Sequence, residues 1–288
     1  MLLESLQQFP SLLIAVVCLL GLMVGSFLNV VIYRLPLMMQ SNWRRECLEF
    51  LALPPEEPAS SVNLLWPGSH CPHCQTPIKA HHNIPVLSYC LLRGRCAHCG
   101  IAIAKRYPLI EAFTGVCSAL LAWQLGFGWG LLFGLLLTWS LIALSFIDID
   151  QHLLPDSITL PLTWLGLSLS LFNLYSDSHD SIVGAIAGYL SLWSVYWLFK
   201  LLTGKEGMGY GDFKLLAMLG AWLGWQFLPL IIVLSSLVGA VIGIGMIVFG
   251  RHEMAKPMPF GPYLAAAGWL ALVWGDDINR LYLHAVGL

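Results

Sequence analysis

The apolar positions of this chain fall in long unbroken runs rather than in alternation. Eight runs stand out, at about 11–33, 107–125, 128–147, 157–175, 181–203, 213–227, 229–250 and 259–275. A bilayer core is about 30 Å thick, and a helix crosses it with roughly 20 apolar residues. Strands of a membrane barrel would show period two, which these runs lack. A helix satisfies its own backbone groups where lipid offers no partner. The pattern predicts an all-α polytopic membrane protein of about eight transmembrane helices. The sixth run is short and broken by glycine, which leaves seven or nine spans as alternatives.

Composition removes the competing classes. Of the 288 residues, 58% are hydrophobic and 10% charged, with a mean hydropathy of +0.75. Soluble domains carry about 25% charged residues. So few charges exclude a soluble enzyme, a disordered chain and a nucleic-acid binder, and leave membrane lipid as the expected surroundings. The basic residues then give direction. With the N-terminus outside, the inner side receives Arg34, Arg44, Arg45, Lys79, Arg93, Arg95, Lys105, Arg106, Lys200, Lys205, Lys214, Arg251 and Lys256, which is thirteen of the 14 Lys and Arg residues. Only Arg280 stays outside, a strong positive-inside bias. The first run has Glu4 before it and three Arg residues after it, the reverse of a cleaved signal, so it is expected to remain as an N-out anchor. The one large non-membrane segment is then 34–106, on the cytoplasmic side, with Pro54–Pro58 as an extended linker.

The paired cysteines all lie beyond that linker. Cys71-Pro-His-Cys74 and Cys96-Ala-His-Cys99 are two CxxC knuckles with 21 residues between them. Such spacing turns four thiolates toward one tetrahedral zinc ion. A reducing cytoplasm disfavours disulfides. Four thiolates leave no open position for water, so the site reads as structural, and zinc would help fold a loop with little core of its own. The competing readings are a redox dithiol pair or coincidence. His70, His73, His81, His82 and His98 lie close by but are not needed as ligands. Cys18 and Cys117 read as packing residues in apolar helices, and Cys47 and Cys90 have no assigned role.

Acids beside hydrophobic segments are costly and usually functional. Ser145-Phe146-Ile147-Asp148-Ile149-Asp150 closes the third run, followed by Leu154-Pro155-Asp156. Gly207-Met208-Gly209-Tyr210-Gly211-Asp212 opens the sixth. The topology puts Asp148 and Asp212 at one depth, at the cytoplasmic edge. Two such carboxylates can form a dyad in which one is base to a water and the other protonates a carbonyl oxygen. Glycines before Asp212 would let a substrate chain approach closely. The competing reading is that these acids cap helices, which suits Asp156 best. Glu111 reads as a first-turn acid that steadies its helix N-terminus or pairs with Arg106. Glu46, Glu49, Glu56 and Glu57 read as a solvated acidic face, or as a patch that attracts a substrate's basic residues.

In order, the chain holds Gly25-Ser26-Phe27-Leu28-Asn29-Val30-Val31 with Arg34-Leu35-Pro36, the two CxxC knuckles, and Arg106-Tyr107-Pro108-Leu109-Ile110-Glu111. Ile147-Asp148-Ile149-Asp150 with Leu154-Pro155-Asp156 follows, then Gly209-Tyr210-Gly211-Asp212-Phe213-Lys214, then Pro259-Phe260-Gly261-Pro262-Tyr263. Over nearly its whole length the chain resembles the bacterial type IV prepilin peptidases, bifunctional leader peptidase/N-methyltransferases of type IV pilus and type II secretion systems. The resemblance implies a GxGD aspartic protease with Asp148 and Asp212 as the catalytic pair, and Asp150 as the alternative for the first. It implies prepilin and pseudopilin substrates at the inner membrane, cut at the cytoplasmic face. It also implies methylation of the new N-terminus with S-adenosylmethionine. No GxGxxG loop opens a helix, so the residues of the methyl-donor site stay unassigned. The implied domains are an anchor over 1–33, a cytoplasmic zinc loop with the methyltransferase region over 34–106, and a transmembrane peptidase core over 107–288.

Two other classes use the same residues. An ion- or proton-coupled transporter would employ the aspartates as a relay, but transporters more often set such acids at mid-membrane within an internal repeat. A zinc-ribbon membrane adaptor explains the cysteines and leaves the paired acids unexplained.

Overall fold

A computed structural model of the chain describes residues 2–54, 63–248 and 258–286. Linker positions Pro55–Pro58, with Glu56 and Glu57, and the basic residues Arg251 and Lys256 lie outside the described residues. Ten helices are described: α1 (Leu2–Gln8), α2 (Pro10–Phe50), α3 (Leu87–Leu91), α4 (Arg106–Leu125), α5 (Trp129–Gln151), α6 (Asp156–Ser170), α7 (Ser178–Thr203), α8 (Tyr210–Leu223), α9 (Leu228–Val248) and α10 (Gly261–Val286). Among the described residues there is no β-strand, only two isolated β-bridges.

Each of the eight apolar runs falls on a helix. Among the described residues five helices are long and apolar enough to cross a bilayer: α2, α4, α5, α7 and the stretch Trp225–Met246, which takes in most of α9. The other three fall short of the expected eight. The 15 residues of α6 and 14 of α8 reach only about 22 Å at 1.5 Å per residue. The long α10 breaks at Trp274, whose φ of −130° and ψ of 15° are non-helical. The helix α2 also runs on through Pro36 to Phe50, so residues 34–50 are helical where a loop was expected.

The chain divides into two compact units, residues 1–127 and 128–288. In the first, α2 packs on α4 through small residues. A Cβ on Gly21 would lie 2.5 Å from Ser118 Oγ, and one on Gly25 would lie 2.8 Å from the Glu111 Cα. Lipid gives helices no hydrophobic reason to associate, so close backbone approach at small residues has to hold them. Past the span, Arg34 is buried and donates to the carbonyls of Asn63 (2.9 Å) and Pro67 (2.6 Å), tying the loop to α2.

The second unit is built around α8. From Phe213 to Leu223 every residue but Lys214 is buried, as expected of a helix apolar on all sides. The helices α6, α7 and α10 surround it. Gly184 and Gly188 of α7 face its backbone: a Cβ on Gly188 would meet Leu216 O at 2.6 Å, and one on Gly184 would collide with Gly220 O. Polar ties seal this core. Trp222 Nε1 donates to Leu162 O (2.8 Å), and Ser181 Oγ to Ala221 O (2.5 Å).

Candidate active site

Both singled-out aspartates belong to the second unit. Asp148 lies in the last turn of α5, and its carbonyl accepts the N–H of His152 (2.9 Å), which ends the helix at a φ of +53°. Asp212 is the third residue of α8, whose N-cap is Gly209. Each is only 6% exposed, and the two carboxylates lie within electrostatic reach of one another. Asp150, the alternative to Asp148, is exposed.

The fold brings a third element to this pair. The first residue of α10, Gly261, donates its N–H to Asp148 Oδ2 at 3.0 Å. The first N–H groups of a helix have no partner within it and carry partial positive charge, so they suit a carboxylate. A Cβ on Gly261 would sit 2.6 Å from Asp148 Oδ2 and 3.1 Å from Leu154 Cδ2. Leu154 also reaches the other aspartate's loop, since a Cβ on Gly211 would lie 2.8 Å from Leu154 Cβ. Leu154 is thus wedged between Gly211, beside Asp212, and Gly261, beside Asp148. Neither Leu154 nor the Gly261 N–H was assigned a role from the sequence. The only signal for the latter was a glycine between Pro259-Phe260 and Pro262 at the start of an apolar run.

The oxygens of the pair are treated unequally. Asp148 Oδ2 is bonded, whereas Asp212 Oδ1 is, among the described residues, a buried side-chain oxygen without a hydrogen-bond partner. A buried polar atom without a partner is expensive and calls for a reason. Lys214 does not supply one: its ammonium is engaged by Asp156, at 2.8 Å to Oδ1 and 2.7 Å to Oδ2. This corrects the capping role of Asp156, which follows the N-cap Pro155 and makes an ion pair between α6 and α8.

The cysteine knuckles lie in the first unit. The Sγ atoms of Cys71, Cys74, Cys96 and Cys99 all fall within 4.8 Å of one another, and all four cysteines are free. The knuckles are built alike. Cys71 N–H bonds Thr76 O (3.0 Å) and Gln75 N–H bonds Cys71 O (2.9 Å), while Cys96 N–H bonds Ile101 O (2.8 Å) and Gly100 N–H bonds Cys96 O (2.9 Å). The residue after each second cysteine, Gln75 or Gly100, has positive φ, +56° or +72°. Cys71 and Cys99 Sγ stand 3.8 Å apart. Four thiolates at about 2.3 Å from zinc, tetrahedrally disposed, are about 3.8 Å apart, so the set fits that ion. The Thr76 hydroxyl, 3.3 Å from Cys74 Sγ, holds that thiol down to about 6. At Cys99 the Ile101 N–H favours the thiolate, but desolvation and the other three thiols outweigh it and push the group up to about 11. None of the five nearby histidines joins the cluster.

Glu111 departs from its expected place. It sits past the first turn of α4, is buried, and accepts the Val86 N–H at 2.8 Å. Val86 has φ of +58° and ψ of −48°, and Leu87 N–H bonds Pro85 O across it. This is a γ-turn, strained for a β-branched residue, and the carboxylate holds it.

Comparison with known proteins agrees with this division. Residues 19–125 match the model of the bacterial peptidase A24 N-terminal domain, and residues 135–244 that of the type IV leader peptidase family. A prepilin leader peptidase/N-methyltransferase of Pseudomonas aeruginosa is 56% identical over 286 residues, 99% of each chain. One from Stutzerimonas stutzeri is 56% identical over 281 residues, 98% of this chain and 97% of its own. The chain belongs to the type IV leader peptidase family. It is a multi-pass membrane enzyme with the family's peptidase region, which contains Asp148 and Asp212, wholly in the second unit. A more distant relative of the same description, from Neisseria gonorrhoeae, is 51% identical over 263 residues, 91% of this chain and 90% of its own. No solved structure matches the chain.

Proposed function

We propose that this leader peptidase removes the leader from type IV prepilins and pseudopilins by means of the Asp148–Asp212 pair. The observation that carries the proposal is the buried Asp212 Oδ1, which lacks a hydrogen-bond partner beside the anchored Asp148. Two desolvated neighbouring carboxylates share one proton more readily than they hold two negative charges. The ionised member takes a proton from a water, whose oxygen bonds to the scissile carbonyl carbon. The protonated member gives its proton to the carbonyl oxygen. As the tetrahedral intermediate collapses, the C–N bond breaks and the amine leaves with a proton returned from the pair. Gly261 N–H orients Asp148 through this exchange.

Both aspartates stand at helix ends rather than mid-helix, and Lys200, Lys205 and Lys214 lie in the same part of the sequence as Asp212. By the positive-inside rule this supports an inner-membrane enzyme with its site facing the cytoplasm, and argues against a mid-membrane relay. The relatives' second activity falls to the first unit, since the family's peptidase region leaves that unit free for methylation of the new N-terminus with S-adenosylmethionine. The four-cysteine cluster there holds a structural zinc ion that ties the two knuckles into one fold.

Mass spectrometry of a prepilin co-expressed with this chain tests the proposal. The mature N-terminus should lack the leader and carry one methyl group. An intact leader refutes the peptidase assignment, and a cleaved but unmethylated N-terminus refutes the second.

A further inference from the structure

The segment that delivers Asp212 is fastened to the end of α7 by contacts that the chemistry above does not use. Gly204, with φ of +70°, closes α7 by returning its N–H to Lys200 O at 2.9 Å. Lys200 then reaches forward over the turn. Its ammonium donates to Glu206 Oε1 (2.8 Å) and Tyr196 Oη (3.2 Å), and lies 5.5 and 5.4 Å from the Tyr196 and Trp197 ring centroids. Tyr196 is buried and its ring meets Tyr210 at 5.4 Å and Phe213 at 5.7 Å, residues on either side of Asp212. Gly207 lies so close to α7 that a Cβ there would touch the Phe199 ring at 3.0 Å.

Helix association does not require this arrangement. Gly184, Gly188 and Gly220 already bring α7 and α8 into backbone contact. The Lys200–Glu206 pair is 34% and 69% exposed, and pairs so exposed add little to stability. What the contacts do fix is the path of residues 204–212. Asp212 Oδ1 has no hydrogen bond of its own to hold it, so its position is inherited from that backbone.

We infer that Tyr196, Lys200 and Glu206 form a latch that holds the Gly207–Asp212 segment in the conformation from which Asp212 acts. They are positioning residues. The inference rests on the peptidase reading, in which Asp212 is one of the catalytic pair. Lys200 anchors the turn through charge and through its place near the aromatic faces, both of which Arg keeps and Met loses.

The test uses the full-length protein in membranes with a prepilin substrate, and the variants Lys200→Met, Lys200→Arg and Glu206→Gln. A small misplacement of a catalytic group is costly, so kcat for Lys200→Met and Glu206→Gln should fall by about tenfold with KM within about twofold, and Lys200→Arg should stay within about twofold of wild type. Hydrogen exchange of amides 205–212 should quicken by about fivefold or more in Lys200→Met and not in Lys200→Arg. Unchanged kcat in the first two variants, a change confined to KM, or unchanged exchange in Lys200→Met would overturn the latch. Exchange is read without any substrate, so it decides the latch even if the wild-type chain leaves prepilin uncut, a result that counts against the peptidase reading instead.

Discussion

Lys214 holds Asp156 at 2.7 Å and leaves Asp212, two residues before it, with an unbonded buried oxygen. The cation nearest in sequence to Asp212 is thereby spent on a pair between α6 and α8. The pair itself is half exposed, 31% at Lys214 and 53% at Asp156. Asp156→Asn should therefore cost no more than about 1 kcal/mol, read as a small shift in thermal unfolding.

Gly261→Ala is expected to act on chemistry. The new methyl would fall 2.6 Å from Asp148 Oδ2 and 3.2 Å from its Cγ, so the carboxylate has to move. Displacing it by about 1 Å should lower kcat by about 100-fold, with the protein still present in membranes at wild-type level. Kinetics of prepilin cleavage check this.

Helix packing makes a paired prediction. At Gly188 a Cβ would meet Leu216 O at 2.6 Å, whereas at Gly245 nothing lies within 4 Å. Gly188→Leu should destabilise the protein by about 3 kcal/mol or more through overpacking. Gly245→Ala in α9 should be neutral or stabilising by up to about 1 kcal/mol. Thermal unfolding in detergent separates the two.

Metal analysis should find about one zinc per chain, lost in Cys74→Ser and kept in Cys47→Ser and Cys117→Ser. Zinc binds the thiolates, so protons compete with it and the ion should be lost as pH falls. Cys74, held down to about 6 by Thr76, favours its thiolate most among the shifted ligands.

Much of this was legible in the sequence because charge is scarce. Long apolar runs located the helices, and two CxxC spacings located the knuckles. Asp148 and Asp212 stood out because so few acids lie beside apolar runs. What was not legible depends on contacts between distant elements. Nothing local indicates that the Gly261 N–H meets Asp148, 113 residues earlier, or that Lys214 turns to Asp156 across 58 residues. The extension of α2 through Pro36 escaped because the first apolar run ends near residue 33, while the helix continues in a polar segment. The shortness of α8 was signalled by the glycines of the sixth run, but that of α6 was hidden, because hydropathy reports apolar length and the turn at Leu171 interrupts the backbone inside apolar sequence.

Single asparagine variants test whether Asp148 and Asp212 together perform the cleavage. Prepilin cleavage should fall by on the order of 1000-fold or more in Asp148→Asn and in Asp212→Asn. The exposed Asp150→Asn should remain within a few-fold of wild type, and all three proteins should reach the membrane. Wild-type cleavage by either of the first two variants, or loss in Asp150→Asn equal to theirs, would show that this pair does not perform the reaction.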